Sequence, residues 1–170
     1  MEGRVRNRER EAESRDFTTY DNVMRVRKRY VEQQMKGKVL IRDSDREWEM
    51  SAQGKLKYYL QPDTFDDHAL RDWYTFAQDI RKHSGKHTHQ GGLVIFVLEG
   101  RGYSIVDGVR YDWEAGDLML LPPKPGGVEH QHFNLVEGER CKWVAFIYSP
   151  FWDAVSGEMT QGELSPDYKK

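Results

Sequence analysis

A single cysteine, Cys141, stands in the 170 residues. A lone thiol forms no intrachain disulfide and offers no cluster for a structural zinc, so any metal must be held by nitrogen or oxygen ligands. Long apolar runs are missing too: nowhere do about 18 apolar residues follow one another, the length a membrane-crossing helix needs. Nor is there an excess of charge of one sign. The 26 Lys and Arg against 28 Asp and Glu leave a formal net charge of -2, which gives no global attraction to phosphate backbones or anionic membranes. Neither nucleic acid nor membrane is expected as a partner. The opening MEGRVRNREREAESRD is charged and without the apolar core of a signal peptide, so the expected compartment is the cytoplasm. No internal repeat is found, which predicts one set of strands and not two.

Aromatic residues are plentiful instead: five Trp, nine Tyr and seven Phe, enough to supply both core packing and the walls of a ligand pocket. Residues 1 to 16 alternate in charge and read as disordered or a solvated helix. Between Asp16 and Met35, apolar residues recur every three or four positions (Phe17, Tyr20, Val23, Val26, Tyr30), the pattern of an amphipathic helix used for packing or subunit contact. From Lys38 onward the texture changes to short β-rich runs such as KVLIRDSD, RDWYTFAQDIRK, LVIFVLEG and KWVAFIYSP, punctuated by Gly, Pro and Asp. That texture predicts an all-β barrel or sandwich. EGRG, VDGV and EAGD read as tight turns closing successive antiparallel hairpins. The expected organisation is a charged tail and helical arm over 1–37, a barrel over 38–152 and an irregular tail over 153–170.

The histidines are clustered. In HSGKHTHQGG, His87 and His89 stand two apart, which in a strand places both imidazoles on one face, as two ligands of one metal require. About forty residues later EHQHFN repeats the spacing with His130 and His132, and Asn134 continues the face. If the two strands meet inside a barrel, up to four imidazoles converge; imidazole suits zinc, iron, copper, nickel or manganese, so spacing alone does not choose the metal. His68 and His83 have no such partner and read as surface residues.

These residues carry a family resemblance. GKHTH followed by FVLEGRG resembles the first cupin motif, and GDLMLLP followed by PGGVEHQHFN resembles the second, with Pro125, Gly127, His130 and Asn134 in register. The stretch VLEGRGYSIVDGVRYDWEAGDLMLLPP is similar to the branch of gentisate, salicylate and 1-hydroxy-2-naphthoate dioxygenases. The resemblance covers residues 38 to 150 and implies a cupin β-barrel, a jelly-roll-like double-stranded β-helix. It implies His87, His89 and His130 as metal ligands. His132 takes proton transfer or a supporting place beside them, with a fourth-ligand role or a capping role in the barrel as alternatives. Leu93, Gly100, Gly116, Pro122 and Asn134 mark the motif framework, Asn134 tying down the backbone. The sequence departs from the general motif at Leu93, where cupins otherwise carry a Glu; the dioxygenase-like branch also lacks it. It departs again in the KPGG insertion after LLPP, and in having one barrel where that branch resembles two fused ones.

A neutral three-histidine site leaves the full charge on a divalent ion and about three open positions, suited to an anionic chelating substrate. The expected activity is therefore a nonhaem dioxygenase with Fe(II), and with Zn, Mn, Ni or Cu as other candidates. It would act with O₂ on a small aromatic or chelating acid, in aromatic compound catabolism. A metallocupin with isomerase, lyase or hydrolase chemistry and a non-catalytic binding cupin are the alternatives. Gln78 and Arg81, placed on the strand leading into the first motif, and Tyr59 and Phe76 as walls, are the candidate substrate contacts; an inward Arg would suit a carboxylate. A homodimer is expected, with residues 16 to 40 available for exchange.

Overall fold

Alternation of apolar and polar side chains organises most of the chain. The computed structural model describes residues 18–155 and 157–169, so the expectation for residues 1–16 lies outside it. In chain order it contains helix α1 (Thr19–Lys36), a short 3-10 turn (Asp43–Asp45), then strands β1 (Trp48–Ser51), β2 (Gly54–Leu60), β3 (Trp73–Asp79), β4 (Lys86–His89) and β5 (Leu93–Glu99). There follow β6 (Arg101–Val106), β7 (Val109–Glu114), β8 (Leu118–Leu121), β9 (Val128–Asn134), β10 (Lys142–Tyr148), helix α2 (Ser149–Ala154) and β11 (Thr160–Glu163). Strands outweigh helices among the described residues, as an all-β barrel requires.

Two compact units divide the chain. One comprises the segment ending at Ile41 together with residues 62–71; the other comprises 42–61 and 72 onward. In the first, α1 begins at Thr18, whose side chain accepts from the Asp21 amide while Asp21 Oδ2 accepts from the Thr18 amide at 3.1 Å. This reciprocal cap satisfies donors that a helix start otherwise leaves open. No residue of α1 is buried. His68, expected at the surface, is buried here in a parallel bridge with Lys38, and the run KVLIRDSD forms no strand beyond that bridge.

The second unit holds two sheets, ordered β1-β2-β3-β10-β5-β8 and β11-β4-β9-β6-β7. Along β5, Leu93, Ile95 and Val97 are buried while Val94, Phe96 and Leu98 face out; this is the period of two a strand imposes. Met119 and Leu121 of β8 and Trp143, Ala145 and Ile147 of β10 complete the apolar inner face of the first sheet. Each fully buried aliphatic side chain contributes about 2 kcal/mol of transfer free energy. On the second sheet the inward positions of β4 are His87 and His89, and β9 turns Val128, His130 and His132 inward.

Not every turn closes a hairpin. Asp107 and Gly108, both at positive φ, join β6 to β7 through the pair Val106↔Val109, a two-residue turn of the expected kind. EGRG and EAGD behave differently, because β5 and β8 lie in one sheet and β6 and β7 in the other. These segments carry the chain across between sheets, correcting the expectation of successive hairpins. Gly100 sits at φ +83°, and a Cβ there would meet the Arg140 carbonyl at 2.1 Å; the crossing is possible because this residue has no side chain. The tail also departs from expectation: β11 pairs antiparallel with β4, Gln161 opposite His87. Backbone pairing with an edge strand needs no apolar alternation, which is why the sequence pattern gives no sign of it.

Candidate metal centre

Strand pairing decides what the two His-x-His segments can do. β4 and β9 run antiparallel with His87 directly opposite His130 and His89 opposite Val128. One ligating nitrogen from each of His87, His89 and His130 lies within 4.8 Å of the others. The ring centroids are 4.2 Å apart for His87 and His130, 4.7 Å for His89 and His130, and 5.5 Å for His87 and His89. All three side chains are buried. The cluster implied by the resemblance is therefore assembled by the register of a single strand pair.

Burial keeps these rings neutral. It pulls His87 and His89 down to about 4 and His132 to about 3, and His130 well below its ordinary value, since a buried imidazolium loses its hydration. At neutral pH each ring is a neutral imidazole with one unprotonated nitrogen; a metal held through His89 Nε2 would displace the proton that the Gly91 bond to Nδ1 places there. His130 Nδ1 lies 3.4 Å from the Val128 carbonyl, and His87 Nδ1 is buried without a hydrogen bond. His89 Nδ1 accepts from the Gly91 amide at 2.9 Å. Gly91 and its neighbour Gly92 are both at positive φ, and a Cβ on Gly91 would strike the Pro122 carbonyl at 2.2 Å. The glycine pair after the motif, with Pro122 against it, thus sets the backbone that reaches His89. Three buried, neutral, mutually adjacent imidazoles fit a divalent ion of the imidazole-preferring kind.

The surroundings are aromatic and apolar. Trp152, from α2, packs on His89 with centroids 5.2 Å apart, and Trp143 stands edge-on to His132 at 5.1 Å. His132 is fully enclosed; Ser104, its cross-strand partner on β6, lies 2.6 Å from its Nδ1, and Trp113 Nε1 donates to the same Ser104 hydroxyl at 2.9 Å. The Ser84 hydroxyl accepts from the His132 backbone amide. Ser104, Trp113, Trp143 and Trp152 are functional surroundings that sequence reasoning misses. The inward phase of β6 and β10 was the available signal for Ser104 and Trp143, but Trp152 lies on a short helix that no periodicity announces.

The remaining candidates separate. Phe76 is buried in the core and packs on Trp143 and Tyr58. Gln78 is buried on the same strand, its amide nitrogen donating to the Gln53 carbonyl at 2.6 Å. Tyr59 points away from the core, its hydroxyl donating to Asp43 at 3.1 Å; Tyr58, one residue earlier, packs against the core and stacks on Tyr74. Of the pair it is Tyr58, not Tyr59, that turns toward the core, because neighbouring residues of a strand face opposite ways. Arg81 lies beyond the end of β3 and is exposed, so it is not an inward Arg on that strand. Leu93 is buried among apolar residues where a carboxylate would stand. Asn134 Nδ2 donates to the carbonyls of Ile80, Arg81 and Glu139, and its Oδ1 accepts from the Val136 amide. Gly116 lies in the β7–β8 crossing at φ +99°. His83 is half-buried against Phe133.

Comparison with known proteins agrees with this architecture. A family model described as the cupin domain matches residues 78–147. A single-residue variant of salicylate 1,2-dioxygenase from Pseudoaminobacter salicylatoxidans, in complex with gentisate, matches at 17% identity over 81% of this chain and 36% of its own, with a TM-score of 0.52. The polyketide cyclase RemF from Streptomyces resistomycificus matches at 17% over 76% of this chain and 89% of its own, also with a TM-score of 0.52. A Cupin 2 conserved barrel domain protein from Salinispora arenicola matches at 19% over 70% and 95%, with a TM-score of 0.51. This chain spans 28% to 40% of the salicylate dioxygenase chains it matches. No curated protein sequence matches. The domain model matches residues 78–147, and within one sheet the pairing of β4 with β9 brings the histidines of the two segments together; the fold is that of a cupin β-barrel.

Proposed function

We propose that this cupin is a metal-dependent dioxygenase of a small aromatic or chelating organic acid, with nonhaem Fe(II) held by His87, His89 and His130. The observation that carries this is the ligand set: three neutral buried imidazoles, with apolar Leu93 in the slot where a carboxylate would supply negative charge. A bound divalent ion would supply Lewis acidity and, as Fe(II), a route for electrons from substrate to O₂. No acidic ligand offsets its charge, so an anionic, chelating substrate is favoured over a neutral one. The chain's own part is to orient that substrate against the walls formed by Trp143, Trp152 and Phe76, and to keep water from the reacting atoms.

Anaerobic loading of the purified protein with Fe(II), followed by oxygen uptake over hydroxylated aromatic acids, tests this. Stoichiometric iron with substrate-dependent oxygen consumption is expected. Tight zinc or nickel, with no oxygen consumed after iron loading, would overturn it. A second reading, non-redox metal-assisted chemistry, draws support from size: the polyketide cyclase is matched over 89% of its length by this one chain. Among the described residues no helix is long and apolar enough to cross a membrane, and a cytoplasmic place is part of the same proposal. We also propose a homodimer. Val94, Phe96, Leu118, Leu120 and Phe146 form an exposed apolar face on adjoining strands, and light scattering that finds a monomer at micromolar concentration would refute a dimer.

A further inference from the structure

β4 carries two of the three clustered histidines, yet it is only four residues long. On one side it is held by β9, through His87↔His130, Thr88↔Glu129 and His89↔Val128. A strand this short with a single neighbour frays readily, and glycines bracket it, Gly85 before and Gly91 and Gly92 after. Its other side is held by β11, with Thr160 opposite Thr88, Gln161 opposite His87 and Glu163 opposite Lys86. β11 reads TQGE: it has no apolar side chain and no buried residue, so it adds nothing to the hydrophobic core.

What β11 does add is a set of polar anchors gathered at the start of β4. Gln161 Nε2 donates to the Lys86 carbonyl at 3.1 Å and to the Glu163 carbonyl at 2.6 Å, and Lys86 Nζ pairs with Glu163 Oε1 at 2.8 Å. Beyond the strand, the amide of buried Ser165 donates to the Ala52 carbonyl at 2.8 Å, and the Ser165 hydroxyl donates to the His83 carbonyl at 3.4 Å. The Gly85 amide in turn donates to the Gln53 carbonyl at 3.0 Å. These segments meet at Gly85: a Cβ there would lie 2.5 Å from both the Ala52 carbonyl oxygen and Gln161 Nε2, and 2.8 Å from the Glu163 carbonyl oxygen. The backbone just ahead of His87 is thus gripped by β11 and by the β1–β2 turn together.

We propose that β11 is the positioning strand of the metal centre, with Gln161 and Glu163 as its anchors: by pairing with the outer edge of β4 it fixes where His87 and His89 stand relative to His130. It acts through β4 and supplies none of the three ligating nitrogens. A ligand set answers to displacements of about half an ångström, and a four-residue strand flanked by glycines keeps that tolerance only when both of its edges are paired. The proposal rests on His87, His89 and His130 being the ligands, and not on the reaction the ion supports.

Zinc affinity of the full-length protein, measured by competition with a chelator, tests this together with amide exchange of the metal-free protein. Gln161→Pro, which lacks both the backbone donor and the side-chain amide, is expected to weaken zinc binding about tenfold or more. The Thr88 and His89 amides should then exchange faster, while those of Ile95 and Val97 in β5 keep their protection. A role confined to overall stability would lower the urea midpoint and leave the zinc affinity of the folded protein as it was. Glu163→Lys is the milder variant: it sets two cations against each other beside His87 and should weaken zinc about threefold. Adding Lys86→Glu to the same chain restores an opposite pair and should recover most of that loss. Unchanged zinc affinity in Glu163→Lys and in folded Gln161→Pro overturns the proposal, and so does a loss in Glu163→Lys that Lys86→Glu leaves in place; where Gln161→Pro does not fold, Glu163→Lys and its rescue decide. His87→Ala separates the two failures. If it still holds zinc, the ligand assignment has fallen; if it loses zinc while the β11 variants do not, only the positioning strand has.

Discussion

His87 and His130 face each other across the β4–β9 pair with ring centroids 4.2 Å apart. Two residues 43 positions apart in the sequence are made neighbours by backbone hydrogen bonds that form whether or not a metal is present, so the ligands are preorganised by the sheet. Removal of either ring should therefore strip metal without collapsing the barrel. His87→Ala and His130→Ala are each expected to lower metal affinity by roughly 100-fold or more, beyond what loss of a supporting contact costs. Metal content after dialysis, with circular dichroism to verify folding, measures this; undiminished metal in both variants would show that the ligands lie elsewhere.

The same burial that keeps the rings neutral makes the metal-free protein sensitive to acid. In the unfolded chain these histidines take up protons near 6.5, while in the folded one His87 and His89 do so only at about 4 and His132 at about 3, with His130 lowered as well. Below 6.5 the unfolded state binds more protons, so stability falls as pH falls. It should be unaffected above about 7, decline from 6.5 toward 4, and flatten only below the folded values. Each pH unit costs about 1.4 kcal/mol for each histidine fully protonated only when unfolded. Urea midpoints of metal-free protein between pH 8 and 5 measure the slope, and a flat profile would mean the rings are already charged in the fold.

Much of the architecture was legible because strands announce themselves by period two: Leu93, Ile95 and Val97 inward, Val94 and Phe96 outward, His87 and His89 together on one face. Partner choice was not legible. Gly100 and Gly116 show that the chain turns, but nothing local says that it leaves one sheet for the other. Tyr58 and Tyr59 are adjacent and chemically alike, and only the phase of β2, fixed by long-range packing, decides which reaches the core. Arg81 reads as part of a strand that in fact ends at Asp79. His68 reads as a surface residue in an acidic stretch, yet a bridge to Lys38 encloses it. Ser104 is not legible from sequence, because serine in a strand carries no special pattern; its significance lies in being opposite His132.

Asn134 offers a test of the framework behind the histidines. Its amide nitrogen lies 3.0 to 3.2 Å from three carbonyl oxygens, drawing together the end of β9, the segment after β3 and the loop before β10. Asn134→Ala removes these donors and should cost about 1–3 kcal/mol. Asn134→Asp is nearly isosteric but replaces a donor by an anion facing carbonyl oxygens, and should cost more. Thermal melts of the two variants decide it. Equal stability of Asp and Asn at this position would mean that the carbonyls take their donors from solvent.

Leu93 is the residue at which the ligand set can be rewritten. Its side chain is buried at the head of β5, in the core and opposite Leu121 and Ile147. Leu93→Glu would introduce a carboxylate there, and without a metal that carboxylate has no cation among the buried core residues to meet it. The metal-free variant should lose about 3 kcal/mol or more, or hold the glutamate neutral by raising its pKa. With a divalent ion bound by His87, His89 and His130, the same group would gain a partner if this position projects to the metal as the motif implies. Bound metal stabilises a fold in proportion to its affinity for the folded state, so the gain in melting temperature on adding Fe(II) or Zn should be larger in Leu93→Glu than in the unmodified protein. A smaller gain would show that the slot does not face the ion, and the three-histidine character of the site would then owe nothing to Leu93.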